Sequence, residues 1–129
     1  MTTRVIALDF DGVLHDYRCW DISWSDHGDP LELPVQGAQD AVGRFLEAGF
    51  DVAVFSTSAK NQLYIDGIRA WLRRHQFASE WAINATITNE KLHCALYVDD
   101  RGFRFEGHWE PLFEFLEKNP RPKRWGQKR

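Results

Sequence analysis

The chain has 129 residues, of which 43% are hydrophobic and 27% are charged. This length fits a single domain, and the balance of residue types excludes a chain that is disordered throughout. The formal net charge of −3 excludes a protein that is basic throughout. Residues 119–129 nevertheless carry five basic and no acidic side chains. We therefore expect one domain over residues 1–118 and a basic, flexible tail over residues 119–129, which would be a weak guide for polyanions at most.

The cysteines and the amino terminus both favour a cytoplasmic protein. Cys19 and Cys94 form no CxxC pair and no secreted-type disulfide framework. The apolar stretch before Asp9 is too short for a signal peptide or a membrane span. We therefore expect a cytoplasmic location and no membrane partner.

Short apolar runs alternate with amphipathic segments along the chain. In chain order the pattern predicts a strand over 5–8, an irregular loop or small hairpin over 15–35, a helix over 37–49, a strand over 51–56, a helix over 60–75, strands over 83–88 and 95–98, and a helix over 109–118. In the last helix, Leu112, Phe113 and Leu116 are expected to face inward. The alternation predicts a single-domain α/β fold, a Rossmann-like three-layer sandwich with a mainly parallel central sheet.

Polar side chains follow the predicted strands at the points where the strands end. They are Asp9 and Asp11, Ser56, Thr88 with Lys91, and Asp99 with Asp100. In sheets of this kind, ligands bind outside the carboxyl ends of the strands. We therefore expect these residues to converge on one rim of the sheet.

The segment Asp9-Phe10-Asp11-Gly12 carries the strongest chemical signal. Side chains two positions apart on an extended chain point the same way, so both carboxylates face one site. Gly12 allows the backbone to turn sharply away from it. Neighbouring carboxylates repel each other, and they are expected to bind a cation, share a proton, or both. With Asp99 and Asp100 added, an all-oxygen donor set favours Mg²⁺ over zinc.

Four segments in this order resemble the motifs of the haloacid dehalogenase-like superfamily of phosphohydrolases. VIALDFDGVL resembles the first motif and VAVFST the second, Lys91 stands where the third motif has its lysine, and Asp99-Asp100 resembles the acidic fourth motif. The resemblance covers about residues 3–107, and YVDDRGFRFEG is similar to a group of small members that lack a cap domain. It implies a fold without a separate cap and an open site, covered only by residues 15–35 as a flap-like loop.

The resemblance also implies a reaction, the Mg²⁺-dependent hydrolysis of a phosphate monoester through an aspartyl-phosphate. Asp9 would be the nucleophile, and Asp11 would act as general acid and then as general base. The phosphoryl group would be bound by Asp9, Gly12, Ser56, Thr57 and Lys91. The metal would be held by Asp9, Asp11, Asp99 and Asp100. The substrate would be a phosphorylated small molecule or a nucleotide or nucleic-acid phosphate end.

Several residues have two interpretations at this stage. Lys60 competes with Lys91 for the role of the cation, and the sequence does not rank Asp99 against Asp100 as the direct metal ligand. Trp20 and Trp24 either anchor the loop by packing or stack against a base or sugar. Arg101 either pairs with a local carboxylate or contacts phosphate.

Two further hypotheses concern His15 and the function as a whole. His15 and Cys19 lack further ligands at a suitable spacing, so a metal pair is not expected there. A catalytically silent binding or regulatory module is the alternative to an enzyme, although no catalytic position of the motifs is visibly substituted.

Overall fold

A parallel sheet forms the centre of the computed structural model, which describes residues 3–120. The described residues form four strands, β1 (Val5–Asp9), β2 (Asp51–Phe55), β3 (Ile87–Thr88) and β4 (Leu96–Val98). Their order is β3-β2-β1-β4, and every pairing is parallel. The strands are flanked by helices, which confirms the predicted α/β, Rossmann-like fold with a parallel sheet.

The helices connect the strands in the alternating pattern that the sequence predicts. They are α1 (Trp20–Ser23), α2 (Ala38–Glu47), α3 (Gln62–Arg74), α4 (Ser79–Asn84) and α5 (Glu110–Lys118). The start of α3 is fixed by Asn61, whose side chain accepts a hydrogen bond from the amide of Tyr64 at 3.2 Å, as expected of an N-cap. Helix α2 packs against β2, and α3 packs against β3 and α4.

The core lies between these helices and the two central strands. Strand β1 is buried over Ile6, Ala7 and Leu8, and β2 over Val52, Ala53 and Val54. Continuous apolar runs of this kind are typical of parallel strands that are covered on both faces. Phe10 continues the buried run past the end of β1, where it meets Trp71 edge-on with ring centroids 5.1 Å apart. The packing of Phe10 against Trp71 therefore anchors the end of β1 in the core.

The predicted strand over residues 83–88 is wrong in its first half. Residues 83 and 84 belong to α4, and strand pairing begins only at Ile87. Long-range contacts select the helix: the indole nitrogen of Trp81 donates to the carbonyl oxygen of Val52 at 2.8 Å. Arg69 donates to the carbonyl oxygens of Ala82, Ile83 and Ala85 at 2.9–3.0 Å, which satisfies acceptors that a helix end leaves open.

The predicted inward face of the last helix is also wrong. Helix α5 has no buried residue. Of the three residues predicted to face inward, Leu112 is half-buried, and 53% of Phe113 and 38% of Leu116 are exposed. The amphipathic pattern identifies an apolar stripe correctly but does not say what covers it. Here Phe115 packs on Phe103, in the preceding coil, at a centroid distance of 5.7 Å.

Residues 15–35 combine one short helix with local pairing. Helix α1 is followed by an antiparallel bridge between Trp24 and Pro30, and a second bridge joins His15 to Pro34. This matches the irregular segment with hairpin character that the sequence predicts. The predicted basic tail falls almost entirely on residues 121–129, which lie outside the described residues. In the part of the chain that is described, none of the helices has the length and apolar character to cross a membrane.

Candidate functional site

A cavity of about 340 Å³ opens at the carboxyl edge of the sheet, beside the ends of β1 and β4. The chain winds from β1 outward through β2 to β3 and then returns to place β4 on the other side of β1. Such a reversal leaves a crevice between the two neighbouring strand ends. The cavity is lined by Asp9, Asp11, Tyr17, Trp20, Phe55, Thr57, Ser58, Asp100 and Arg101. The segments around Asp9, Thr57 and Asp100 therefore meet at this cavity, whereas Thr88 and Lys91 do not line it.

Asp9 lies in an environment that disfavours its negative charge. Burial is the largest cause, followed by repulsion from Asp100, Asp11 and Asp99, and together these raise the pKa of Asp9 to about 7. Without a cation nearby, burial and the neighbouring carboxylates therefore favour the protonated form of this group over a wider pH range than is usual for an aspartate. A positive charge in the cavity would favour the ionised form.

Asp11 is held by two buried nitrogen donors on one of its oxygens. Its Oδ1 accepts a hydrogen bond from Nδ1 of His15 at 2.8 Å and from Nε1 of Trp24 at 3.0 Å. The other ring nitrogen of His15, Nε2, accepts from the backbone N–H of Glu32 at 3.1 Å. Because a backbone amide can only donate, Nε2 carries no proton and Nδ1 does. Nδ1 is therefore the ring nitrogen that donates to Asp11.

Of the pair Asp99 and Asp100, one carboxylate lies in the cavity and the other in a turn. Asp100 lines the cavity together with Asp9. Asp99 is exposed, and its Oδ1 accepts hydrogen bonds from the backbone amides of Arg101, at 2.9 Å, and Gly102. Asp99 also lines a different cavity, next to Cys94 and Phe103. The structure thus places Asp100 in the cavity, whereas the carboxylate of Asp99 accepts hydrogen bonds within the turn that follows β4.

The resemblance implies that Ser56 and Thr57, after β2, contact the phosphoryl group, but the structure brings a different pair to the cavity. Ser56 is 2% exposed, and its hydroxyl oxygen accepts from the amide of Ser58 at 3.1 Å. Thr57 and Ser58 line the cavity, whereas Ser56 does not. Ser56 therefore shapes the turn that presents the next two residues to the cavity.

Of the basic side chains between residues 3 and 120, only Arg101 lines the cavity. Lys91 is exposed, with Nζ 5.7 Å from the ring centroid of Tyr97. Lys60 has its Nζ 4.7 Å from the ring centroid of Tyr64 and 5.5 Å from that of Trp20. Neither lysine lines the cavity: Lys60 lies over Trp20, which does line it, whereas Lys91 lies over Tyr97, which lines a separate cavity.

The oxygen donors of the cavity fit a magnesium ion. Across residues 3–120, no three His, Cys, Asp or Glu side chains form a ready-made metal site. Mg²⁺ does not need one, because it is usually held by one or two carboxylates and completes its shell with water and substrate phosphate oxygens. Asp9 and Asp100 supply two carboxylates that repel each other in one cavity, which is the situation that a divalent cation relieves.

Sequence reasoning missed His15 as a contact of the site. It treated the residue only as a possible metal ligand, whereas the ring is fully buried and binds Asp11. Its position four residues after Asp11, directly after the apolar pair Val13 and Leu14, was the available signal. Tyr17 and Phe55 were likewise missed as cavity residues, because aromatic side chains near strand ends usually belong to the core.

The fold and this cavity define an α/β protein of Rossmann-like architecture with a carboxylate-rich site at the carboxyl edge of its sheet. The chain is similar to a solved structure described as the conserved protein coded by locus from Bacteroides thetaiotaomicron. The match has a TM-score of 0.55 at 16% sequence identity and covers 92% of this chain and 93% of the other. A likeness at this identity shows the fold alone. No family model and no curated protein sequence match the chain.

Proposed function

We propose that the protein is a Mg²⁺-dependent phosphatase of the haloacid dehalogenase-like superfamily, of the kind without a cap domain. It would hydrolyse a phosphate monoester through an aspartyl-phosphate. The observation that carries this proposal is the meeting of Asp9, Asp11 and Asp100 around one cavity at the topological switch point. The order of the four motif segments, given above as a resemblance, supports the same reaction.

Asp9 is the proposed nucleophile because it lies in the cavity at the end of the central strand, and the next residue, Phe10, is buried and anchors this strand end in the core. An oxygen of its ionised carboxylate attacks phosphorus. The bond from phosphorus to Asp9 forms while the bond from phosphorus to the leaving oxygen breaks. Only the ionised form attacks, so the raised pKa of Asp9 makes the reaction dependent on a positive charge in the cavity.

Asp11 is the proposed general acid and base. In the first step its carboxylic acid form gives a proton to the leaving oxygen, and the alcohol departs. In the second step the resulting carboxylate takes a proton from a water molecule as the water oxygen attacks phosphorus. The bond from phosphorus to Asp9 then breaks, inorganic phosphate leaves, and both aspartates return to their starting states.

The rest of the cavity supplies hydrogen bonds and charge for the phosphoryl group. Thr57 and Ser58 line it with donors, and the turn that Ser56 fixes sets their direction. Arg101 is the proposed cation at the phosphoryl group, and Lys91, which lies over Tyr97 outside the cavity, is proposed to screen the negative charge from a distance. Fixed donors and charges of this kind supply most of the catalysis in phosphoryl transfer.

Asp9 and Asp100 would hold the magnesium ion, together with the backbone carbonyl group of Asp11. When bound, the ion neutralises charge on the nucleophile and on the phosphoryl oxygens. Asp99 is not a proposed ligand, because one of its oxygens accepts from the backbone amides of Arg101 and Gly102. The substrate is a phosphorylated small molecule or the phosphate end of a nucleotide or nucleic acid, since an open cavity bordered by Tyr17 and Trp20 admits either.

Phosphate release from a panel of substrates tests the proposal. The panel contains an aryl phosphate, sugar phosphates, mononucleotides and phosphorylated oligonucleotides, each with Mg²⁺ and with a chelator. We expect Mg²⁺-dependent release by the wild type and its loss in Asp9→Asn. A folded wild type that releases no phosphate from any member overturns the proposal and favours the alternative, a binding module without turnover.

A further inference from the structure

The environment of Asp11 contains two donors that the resemblance does not assign. We infer that His15 and Trp24 are positioning residues that hold Oδ1 of Asp11 in place, so that Oδ2 is the oxygen that exchanges the proton with the substrate. This inference rests on the proposed function. The two hydrogen bonds, at 2.8 and 3.0 Å, end on the same carboxylate oxygen. An oxygen of this type has two lone pairs in the carboxylate plane, and both are engaged.

His15 is fixed on every side. Its ring is fully buried, stacks on Phe10 with centroids 5.0 Å apart and meets the edges of Trp24 and Trp71 at 5.8 and 5.5 Å. The backbone amide of Glu32 holds Nε2 at 3.1 Å. The imidazole can therefore neither rotate nor change tautomer without losing a hydrogen bond. It presents an N–H group to Asp11 at a constant position.

Trp24 brings the second donor from the segment that the sequence predicts as a flap. Its side chain is 3% exposed. Its indole stacks on Trp20 at 5.6 Å with an interplanar angle of 15°, and it also contacts Tyr64 at 5.7 Å. The packing of residues 20–24 against α3 is thereby coupled to the orientation of Asp11. The role of Trp24 in this arrangement is to orient a carboxylate rather than to stack against substrate.

Orientation matters because the terminal torsion of an aspartate is broad and allows the carboxylate to rotate. A general acid must hold its proton within hydrogen-bond reach of the leaving oxygen, and proton transfer typically contributes 10²–10⁴-fold to the rate. With Oδ1 bound by two N–H donors, the proton of the acid form resides on Oδ2, the oxygen that remains. Removal of one donor would free the torsion and weaken proton delivery while leaving nucleophile and metal ligands in place.

The dependence of rate on the leaving group separates this role from a structural one. p-Nitrophenolate departs without protonation, whereas an alkoxide does not. The quantity to measure is kcat/KM for p-nitrophenyl phosphate and for glycerol phosphate, because kcat/KM includes the step in which the leaving group departs. His15→Phe keeps a flat aromatic ring and removes the donor, and Trp24→Phe removes the indole N–H. His15→Asn keeps an N–H donor at the position of Nδ1.

We expect the ratio of the two kcat/KM values, nitrophenyl over alkyl, to rise about tenfold or more in His15→Phe and in Trp24→Phe. His15→Asn should return the ratio toward that of the wild type. The matched control is His75→Phe, the same change at a histidine that packs on Trp71, at 4.8 Å, and does not contact Asp11. It should keep the wild-type ratio.

Circular dichroism and thermal unfolding establish whether each variant is folded. If His15→Phe does not fold, the ratio measured for Trp24→Phe tests the inference. An equal loss on both substrates in the folded variants overturns the inference, because it would mark a structural role only. A rise of the ratio in His75→Phe equal to that in His15→Phe overturns it as well. A wild type inactive on these two substrates and on every other member of the panel given above overturns the proposed function itself, which distinguishes the two failures.

Discussion

The carboxylate of Asp100 lies directly against the α-carbon of Gly12. A methyl group added to Gly12 would lie 2.8 Å from Cγ of Asp100, closer than real side chains approach. The φ angle of Gly12 is 89°, in the left-handed region that other residues adopt only at a cost. This contact joins the first motif segment to the fourth, and it explains why the chain needs glycine directly after Asp11.

Gly12→Ala should therefore harm both the fold and the site. We expect a loss of about 1–2 kcal/mol in the free energy of unfolding from backbone conformation alone, and a large loss of phosphatase activity because the carboxylate of Asp100 must move. Urea unfolding and kcat/KM measure the two effects. Gly43→Ala is the control, since an added methyl group there meets nothing within 4 Å in the middle of α2, and alanine is favoured in helices by about 0.5–1 kcal/mol. Equal changes of stability and activity in Gly12→Ala and Gly43→Ala would contradict the close contact between Gly12 and Asp100.

The two neighbouring carboxylates of the fourth motif should differ in their effects on magnesium. Asp100→Asn removes a charge from the cavity and should weaken Mg²⁺ activation by tenfold or more, a change of about 1.4 kcal/mol. Asp99→Asn keeps a carbonyl oxygen that can accept from the amides of Arg101 and Gly102, so its effect should be smaller. Titration of phosphate release with Mg²⁺ measures both. A larger shift in Asp99→Asn than in Asp100→Asn would contradict the assignment of Asp100 to the site.

The proton on Asp9 should make the metal-free protein less stable as the pH rises. The pKa of Asp9 is raised to about 7 in the folded protein, against an ordinary value of 3.8 for an aspartate. Between these values the folded state binds a proton that the unfolded state has lost, so the free energy of unfolding falls with rising pH and levels off above about 7. Unfolding of wild type and Asp9→Asn in a chelator, compared across this window, isolates the contribution of Asp9.

Mg²⁺ should reverse this trend, because it competes with the proton for Asp9. Its stabilising effect should grow as the pH rises toward 7 and then become constant. The variant Asp9→Asn should lack this part of the pH dependence. The free energies of unfolding of wild type and Asp9→Asn, both measured in a chelator, are then compared. If they differ by the same amount at every pH from 4 to 7, the raised pKa of Asp9 is contradicted.

The sequence was sufficient to predict the elements whose signals are local. The apolar runs ending at Asp9 and before Ser56 predict β1 and β2, because parallel strands covered on both faces need continuous apolar residues. The convergence of Asp9, Asp11 and Asp100 follows from the rule for strand ends. Ser56 was placed at the correct edge, although its hydroxyl serves the turn and its neighbours line the cavity.

The features that could not be predicted from the sequence depend either on contacts between distant segments or on local hydrogen bonds whose partners the residue pattern does not specify. Residues 83 and 84 are helical because Trp81 and Arg69 bind groups remote in the chain. Asp99 and Asp100 differ only in which of them the backbone turn uses, and no residue pattern encodes that. The donors to Asp11 come from a loop without periodicity, where only the three-dimensional packing of Trp24 reveals its partner.

The central claim is that phosphorus becomes bonded to Asp9, and trapping the covalent intermediate tests it most directly. Wild type is mixed with Mg²⁺ and p-nitrophenyl phosphate, quenched in acid and reduced with borohydride, which converts an acyl phosphate of aspartate to homoserine. Peptide mass spectrometry then locates the modified residue. We predict homoserine at Asp9 in the wild type and an unmodified peptide when substrate is omitted. Rapid phosphate release by a wild type in which Asp9 stays unmodified at every quench time would contradict the account.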